Sequence, residues 1–375
     1  MSADVGVGHT SAAKALRAGC AAVDPAFASV IVDSYKYSAS VFSGVVSKGY
    51  IGMVKTIPQM YRFLYNRAEM ATEVGPFRAW VHQFTAQNIR AFMLDYSPDI
   101  VVCTHAFPCG VMAEYKKLYA DSPPVFGVVT DFAVHAFWMH RNVEGYAVAT
   151  LQMQDAMVSR GVDRARIHVS GIPIGPAFGA AAPAREVLRD RLGLPQDRRI
   201  VLVMGGGLGI APLQTIMRAL ENVDEPTCAV AIVGRSKRAE LRALESAERV
   251  RYPVRILGFV ENVHDYMHAA DVLVTKPGGL TSAEALAANV PLVLFKPLPG
   301  QEERNTRYLV ASGAALRAKN ARDLTRCVQL LLADAEKRDE MRAAMRVLAK
   351  PDAAADIAGA MQSIAGAGRK GEAIA

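Results

Sequence analysis

The sequence predicts an α/β protein of two doubly wound domains, and three observations predict it. First, short and continuously apolar runs alternate with helical patterns, as strands buried on both faces of a parallel sheet do. These runs fall at 28–32, 99–103, 125–129, 200–204, 229–233, 271–274 and 291–295. Second, the series breaks at "GIPIGPAF" (171–178), where proline and glycine interrupt helix and strand alike, and resumes at Ile200 with a strand, a glycine loop and a helix. Third, 375 residues exceed one ordinary domain and suit two of roughly 150–200 residues each. The expected division is 1–174, 175–345 and a C-terminal helical tail, 346–375.

The opening loop "SADVGVGHTSAAKAL" (2–16) reads as a strand-to-helix turn, with Thr10 and Ser11 as capping residues and Ala12, Ala13, Ala15 and Leu16 as helix formers. The strand that should feed this turn is missing. The expectation is that Met1 is an internal methionine and that the first strand of the N-terminal domain is encoded upstream. The alternative, a sheet that lacks a central strand, leaves buried backbone groups exposed.

Composition narrows the function classes. Hydrophobic residues make up 51% and charged residues 21%, enough for two cores and too apolar for long disorder. The net charge of +7 favours an anionic partner such as a lipid surface, nucleotide phosphates or nucleic acid. The basic residues are dispersed without a nucleic-acid motif, so no nucleic-acid partner is expected. Cys20, Cys103, Cys109, Cys228 and Cys327 are odd in number and lack metal-ligand spacing, which suits reduced thiols in the cytosol. No apolar run reaches the roughly 18 residues that span a bilayer, and no leader pattern follows Met1. A soluble or peripheral protein is expected.

The second half carries the clearest chemistry. In "RIVLVMGGGLGIAPL" (199–213) a buried strand runs into Gly205, Gly206, Gly207 and Gly209 and then a helix. Such a turn either cradles a phosphate at the helix N-terminus or is purely structural. In "ADVLVTKPGGLTSAEALAANVPLVLFKPLPGQEERN" (270–305) a strand is followed by the tight turn Lys276-Pro277-Gly278-Gly279. A helix expected to start at Thr281 and Ser282 places Glu284 in its first turn. That carboxylate can complement the helix dipole or close a capping box, or it can accept hydrogen bonds from two ribose hydroxyls. Beyond the next strand a loop is expected to present Gln301, Glu302 and Asn305, either to sugar hydroxyls or merely to solvent.

These stretches carry a resemblance. The chain resembles the monogalactosyldiacylglycerol synthase and processive diacylglycerol glucosyltransferase family, related more distantly to the N-acetylglucosaminyltransferase that makes lipid II. The matching segments are "GVGHTSAAKAL" (6–16), "PDIVVCTHAFPCGVMAEYKK" (98–117) and "VVTDFAVHAFWMHRNVEGYAVAT" (128–150). They continue with "SGIPIGPAF" (170–178), "VLVMGGGLG" (201–209), "LGFVENVHDYMHAADVLVTKPGGLTSAEAL" (257–286) and "PLPGQEERN" (297–305), in the family's order.

The resemblance implies the GT-B fold, two Rossmann-like domains facing across a cleft. It implies inverting transfer of a hexose from UDP-glucose or UDP-galactose to diacylglycerol. By motif position Glu284 would hold the ribose, and Gln301, Glu302 and Asn305 would face the donor sugar. Phe259 and Val260 would border the uracil. Gly206, Gly207 and Gly209 would lie near the diphosphate, and Gly278, Gly279 and Thr281 would belong to the donor-binding side. Gly6, Gly8 and His9 match the family's acceptor-side loop. His9 or Asp131 would serve as the base, since either side chain can take a proton near neutrality; each can also be a structural residue at a helix start. His105, His135 and His140 receive no role. No Asp-x-Asp motif occurs, so no cofactor or metal is expected, with helix dipoles and N–H groups stabilising the leaving diphosphate.

The segment 35–70 mixes Tyr35, Phe42, Tyr50, Met60, Tyr61 and Phe63 with Lys36, Lys48, Lys55, Arg62 and Arg67. It reads either as a docking face for an anionic bilayer or as packed helices with basic outer faces. The expected partners are therefore a UDP-hexose, diacylglycerol and an anionic membrane surface, at the inner face of the cell membrane. A GT-B transferase with another lipid or small-molecule acceptor, or a non-catalytic UDP-sugar-binding protein, remains the alternative.

Overall fold

The computed structural model describes residues 1–2, 7–38, 75–205 and 212–372. They divide into two compact units, Met1–Gly175 with Pro299–Gln301 and Asp352–Ala375, and Pro176–Leu298 with Glu302–Pro351.

The first unit holds a parallel sheet in the order β1 (Val101–Cys103), β2 (Val125–Val128), β3 (Gly145–Ala147) and β4 (Ile167–His168). Its helices are α1 (Val7–Val23), α2 (Gly75–Asn88), α3 (Arg90–Tyr96), α4 (Ala106–Leu118) and α5 (Leu151–Val158). β1 and β2 match expected runs because every β2 residue is buried. β3 and β4 escape a hydrophobic count because they are short and carry Gly145 and His168. α1 begins at Val7, three residues ahead of Thr10, so Thr10 and Ser11 lie inside the helix and do not cap it. The expected strand at 28–32 is not formed; among the described residues a single parallel bridge joins the following Asp33 to Ser2.

The last helix, α14 (Ala353–Glu372), returns to the first unit and packs along α1. Leu16 and Cys20 meet Ile357, Ala358 and Met361 over Phe126, Val128 and Ala147 of the sheet. Gly19 permits this crossing, since a Cβ there would sit 2.7 Å from the backbone carbonyl carbon of Ala354.

The second unit is built on a six-stranded parallel sheet of β5 (Arg199–Met204), β6 (Thr227–Ile232), β7 (Val254–Leu257), β8 (Val272–Thr275), β9 (Leu292–Phe295) and β10 (Leu316–Ala318). Their spatial order is β10-β9-β8-β5-β6-β7. Four of these strands were legible as apolar runs, because β6, β8 and β9 are buried at every position and β5 at all but its first. β7 and β10 were not, since Arg255 and Arg317 break their patterns. Helices α6 (Arg185–Arg191), α7 (Leu213–Leu220), α8 (Lys237–Ala247), α9 (Val263–Ala269), α10 (Gly279–Ala287), α11 (Gln301–Ala311), α12 (Ala321–Ala333) and α13 (Ala335–Leu348) follow in sequence.

A buried carboxylate staples the sheet to α6. Asp271 Oδ2 accepts from an Arg189 guanidinium nitrogen at 2.6 Å and from the Ile200 amide at 2.7 Å, while Oδ1 accepts from Arg185 at 3.0 Å. Arg189 completes its own bonding by donating from Nε to the Ala269 carbonyl at 3.1 Å. Such an arrangement offsets the desolvation of both charges only because nearly every polar atom has a partner.

Candidate active site

The strand order of the second unit creates a topological switch point between β5 and β8, where successive connections leave in opposite directions along the sheet. Open α/β sheets bind ligands outside the carboxyl ends of the strands at such a point. Here those ends are Met204–Gly205 and Thr275–Lys276, tied together by Thr275 Oγ1 donating to the Met204 carbonyl at 3.0 Å. Gly206, Gly207 and Gly209 lie outside the described residues.

After β8 the chain turns through Pro277, and Gly278 stands as the residue before α10 with φ −68° and ψ 139°. The first intrahelical bond runs from Ser282 N to the Gly278 carbonyl, 3.0 Å. The amides of Gly279, Leu280 and Thr281 therefore have no intrahelical acceptor, as at any helix start, and they carry the positive end of the helix dipole. A Cβ at Gly278 would meet nothing within 4 Å, so this face of the turn is open.

Because α10 begins at Gly279, Glu284 lies in its second turn and not its first. That placement removes the capping-box reading, and the dipole decays within one turn. The Glu284 carboxylate makes no hydrogen bond or ion pair with a described residue, and burial pushes its pKa up to about 8. A half-buried acid without partners is costly. It is the arrangement a ligand with paired hydroxyl donors would relieve.

The expected sugar-facing residues stand on a helix and not on a loop, since α11 starts at Gln301. Glu302 has both carboxylate oxygens occupied: Oε1 by Lys276 Nζ at 2.6 Å and Oε2 by the Leu298 amide at 2.8 Å. Asn305 is fully buried and donates to the Pro277 carbonyl at 3.0 Å. These two residues fix the turn that precedes α10. Gln301 clusters with the first unit, where its amide donates to Asp131 Oδ2 and to the Ala133 carbonyl, both at 3.2 Å. Phe259 is 46% exposed at the end of β7 and stacks beneath the Arg235 guanidinium, 4.3 Å from its ring centre. Val260 follows it, half-buried. An exposed aromatic face backed by a cation suits a flat base.

In the first unit Gly8 and His9 occupy the first turn of α1, and Gly6 lies outside the described residues. His9 Nδ1 is 2.9 Å from the Thr104 carbonyl and 3.0 Å from Thr130 Oγ1. A carbonyl can only accept, so Nδ1 carries the proton and Nε2 keeps a lone pair. Thr104 Oγ1 returns a bond to the His9 carbonyl at 3.1 Å. Burial lowers the pKa of His9, with the Thr104 bond opposing, and lowers that of His105, whose ring stands edge-on to His9 at 4.6 Å, much further. The ring is therefore neutral at pH 7, oriented, and able to act as a base through Nε2. Asp131 adjoins Thr130 in the chain, so both candidate bases lie close to this network.

Several participants had no sequence signal. Thr104 and Thr130 are 95 and 121 residues from the histidine that they hold. Lys276 stands in the sequence only as part of the turn 276–279. His105 and His135 prove to be capping residues: each Nδ1 accepts from the amide two residues on, at 3.1 and 3.2 Å.

Comparison with known proteins bears on both units. Residues 9–174 match the monogalactosyldiacylglycerol (MGDG) synthase family, and residues 184–347 match glycosyl transferases group 1. The processive diacylglycerol beta-glucosyltransferase of Bacillus pumilus is 31% identical over 353 residues, which cover 93% of this chain and 90% of that protein. The chain belongs to this glycosyltransferase family. The Bacillus subtilis protein of the same name is 30% identical over 349 residues, covering 91% of this chain and 88% of its own. Among solved structures, Acinetobacter baumannii MurG superposes with a TM-score of 0.55 at 16% identity, over 76% of this chain and 79% of MurG. The UDP complex of S. aureus MnaA gives 0.57 at 13%, over 75% and 80%. These likenesses bear on fold alone, and with the two parallel sheets they establish the GT-B class.

Proposed function

We propose that this family member transfers a hexose from a UDP-sugar to the free hydroxyl of diacylglycerol, forming a glycosyldiacylglycerol. The observation that carries the reading is the unpartnered Glu284 carboxylate, one turn beyond the open N-terminus of α10 at the switch point of the sheet. The second unit takes the donor. The ribose hydroxyls donate to Glu284, the diphosphate lies against the first amides of α10, and the uracil stacks on Phe259. The first unit supplies the base. His9 Nε2 takes the acceptor proton while the acceptor oxygen bonds to the anomeric carbon and the bond to UDP breaks, with inversion. The leaving diphosphate gains its charge against helix N–H groups, and no metal is required for that step.

The lipid acceptor calls for a membrane-facing surface. Most of the segment 35–70 lies outside the described residues, but its neighbours support docking from this unit. On α2 Trp80 is 50% exposed and stacks near Phe84, which is 37% exposed; on α3 Leu94 and Tyr96 are 54% and 42% exposed. Among the described residues no helix is long and apolar enough to cross a membrane; the reading is of peripheral contact through these exposed side chains. The test is incubation with radiolabelled UDP-glucose and, separately, UDP-galactose over liposomes of diacylglycerol and anionic lipid. Label in a chloroform-soluble glycolipid is expected from one of the two. Label confined to water-soluble products with both donors would refute the reading.

A further inference from the structure

In the second unit one ion pair ties together the two turns that precede α10 and α11. Lys276 is the first residue beyond β8, and its Nζ donates to Glu302 Oε1 at 2.6 Å. Glu302 stands in the first turn of α11, and its Oε2 accepts from the Leu298 amide at 2.8 Å. Three residues on, Asn305 donates to the carbonyl of Pro277, the neighbour of Lys276, at 3.0 Å. The stretch 276–278 and the stretch 298–302 are thus held as one piece. The second stretch needs the tie, because Lys296 (φ 52°) and Gly300 (φ 95°) both take left-handed backbone, which is costly for a residue with a Cβ.

The pair carries a cost that the fold alone does not require. Lys276 lies two residues before Gly278, where a cation adds to the positive end of the α10 dipole and is unfavourable for the helix. Glu302 offsets that charge, yet the two side chains are only 16% and 13% exposed, so both give up hydration. Apolar side chains of similar volume would join the turns at no such cost. What they would not supply is a fixed acceptor. An ionised carboxylate has about four lone-pair sites, and among the described residues Lys276 and Leu298 take one on each oxygen of Glu302. The sites that remain recognise hydroxyls. In a UDP-hexose the sugar is attached to the β-phosphate, so a diphosphate against the first amides of α10 brings the hexose within reach of groups tied to the preceding turn.

We propose that Lys276 is a positioning residue of the donor site, acting through Glu302. The inference rests on the reading that the second unit binds a UDP-hexose. Lys276 turns the open lone pairs of Glu302 towards the hexose hydroxyls, and it cancels a carboxylate charge that would otherwise repel the diphosphate. Its own ammonium takes no part in the transfer. Two consequences separate this role from a merely structural one. Removing the cation alone leaves Glu302 as an uncompensated charge near the diphosphate, whereas removing both charges does not. Either change frees or removes the acceptor that distinguishes one hexose from its epimer.

Calorimetric titration of UDP, UDP-glucose and UDP-galactose into wild type, Lys276→Met, Lys276→Arg and Lys276→Met/Glu302→Gln reads both consequences. Lys276→Met should bind UDP about tenfold more weakly, the effect of one unscreened like charge close to the diphosphate. The double variant should return UDP binding to near the wild-type value. Wild type should prefer one UDP-hexose over the other by about tenfold, as one hydrogen bond to a charged group provides. Lys276→Met and the double variant should both lose that preference, and Lys276→Arg should keep it. Should Lys276→Met fail to fold, the double variant decides the matter by binding UDP normally without the preference. A double variant that binds UDP no better than Lys276→Met would overturn the charge cancellation. A preference unchanged in either variant, or absent from wild type, would overturn the positioning. Wild type that binds no UDP would refute the donor reading and this inference together, whereas the expected binding pattern without any lipid product refutes the acceptor assignment alone.

Discussion

Replacing Glu284 by glutamine removes a carboxyl whose pKa burial holds at about 8. Between its ordinary 4.5 and that value, the native chain keeps the proton that the unfolded chain releases. Stability conferred by the neutral acid is therefore complete below pH 4.5 and is lost as pH rises towards 8. Moving a carboxyl over that range is worth about 5 kcal/mol at most, and solvent access to a half-buried group reduces this to about 1–3 kcal/mol. For a unit of this size that is about 3–10 °C in Tm. Scanning calorimetry of wild type and Glu284→Gln across pH 4.5–9 reads it directly. The wild-type Tm should fall relative to the variant through that window, and the two curves should run parallel outside it. UDP adds a second signature. Ribose hydroxyls favour the ionised carboxylate, so UDP binding should release a proton and tighten with pH in wild type but not in Glu284→Gln. Parallel Tm curves together with pH-independent binding would refute the assignment of an unpartnered acid to the ribose.

Two further expectations concern the other unit and the scaffold. His9→Asn should lower kcat by about 10²–10⁴-fold while leaving the KM for the UDP-sugar nearly unchanged, because His9 takes a proton and does not hold the donor. The acid limb of the wild-type pH–rate profile should lie below pH 6.5, the direction in which burial moves this histidine. An unaltered kcat would transfer the role to Asp131. Asp271→Ala leaves Arg189, itself 9% exposed, with a buried and uncompensated charge. A loss of about 3–5 kcal/mol in denaturant unfolding is expected, and a loss below 1 kcal/mol would contradict the staple.

What could be read from the sequence follows from burial. β6, β8 and β9 are covered on both faces and so spell unbroken apolar runs, whereas β7 carries Arg255 on a half-exposed edge and β4 has two residues. The donor motif was legible as residue types, but its helix phase was not. Only the start of α10 at Gly279 shows that Glu284 is beyond the first turn, and only the start of α11 at Gln301 puts Glu302 against Lys276. The support of His9 was illegible because Thr104 and Thr130 reach it through the tertiary fold.

The account's central claim is a single displacement from an α-linked UDP-sugar, with His9 as the base. The most direct measurement is the anomeric configuration of the lipid product, read from the proton NMR coupling of the transferred sugar. A β-linked hexosyl-diacylglycerol from wild type, with no detectable product from His9→Asn in the same time, is the predicted result. An α-linked product would contradict the claim, because retention cannot arise from one in-line attack by the acceptor hydroxyl.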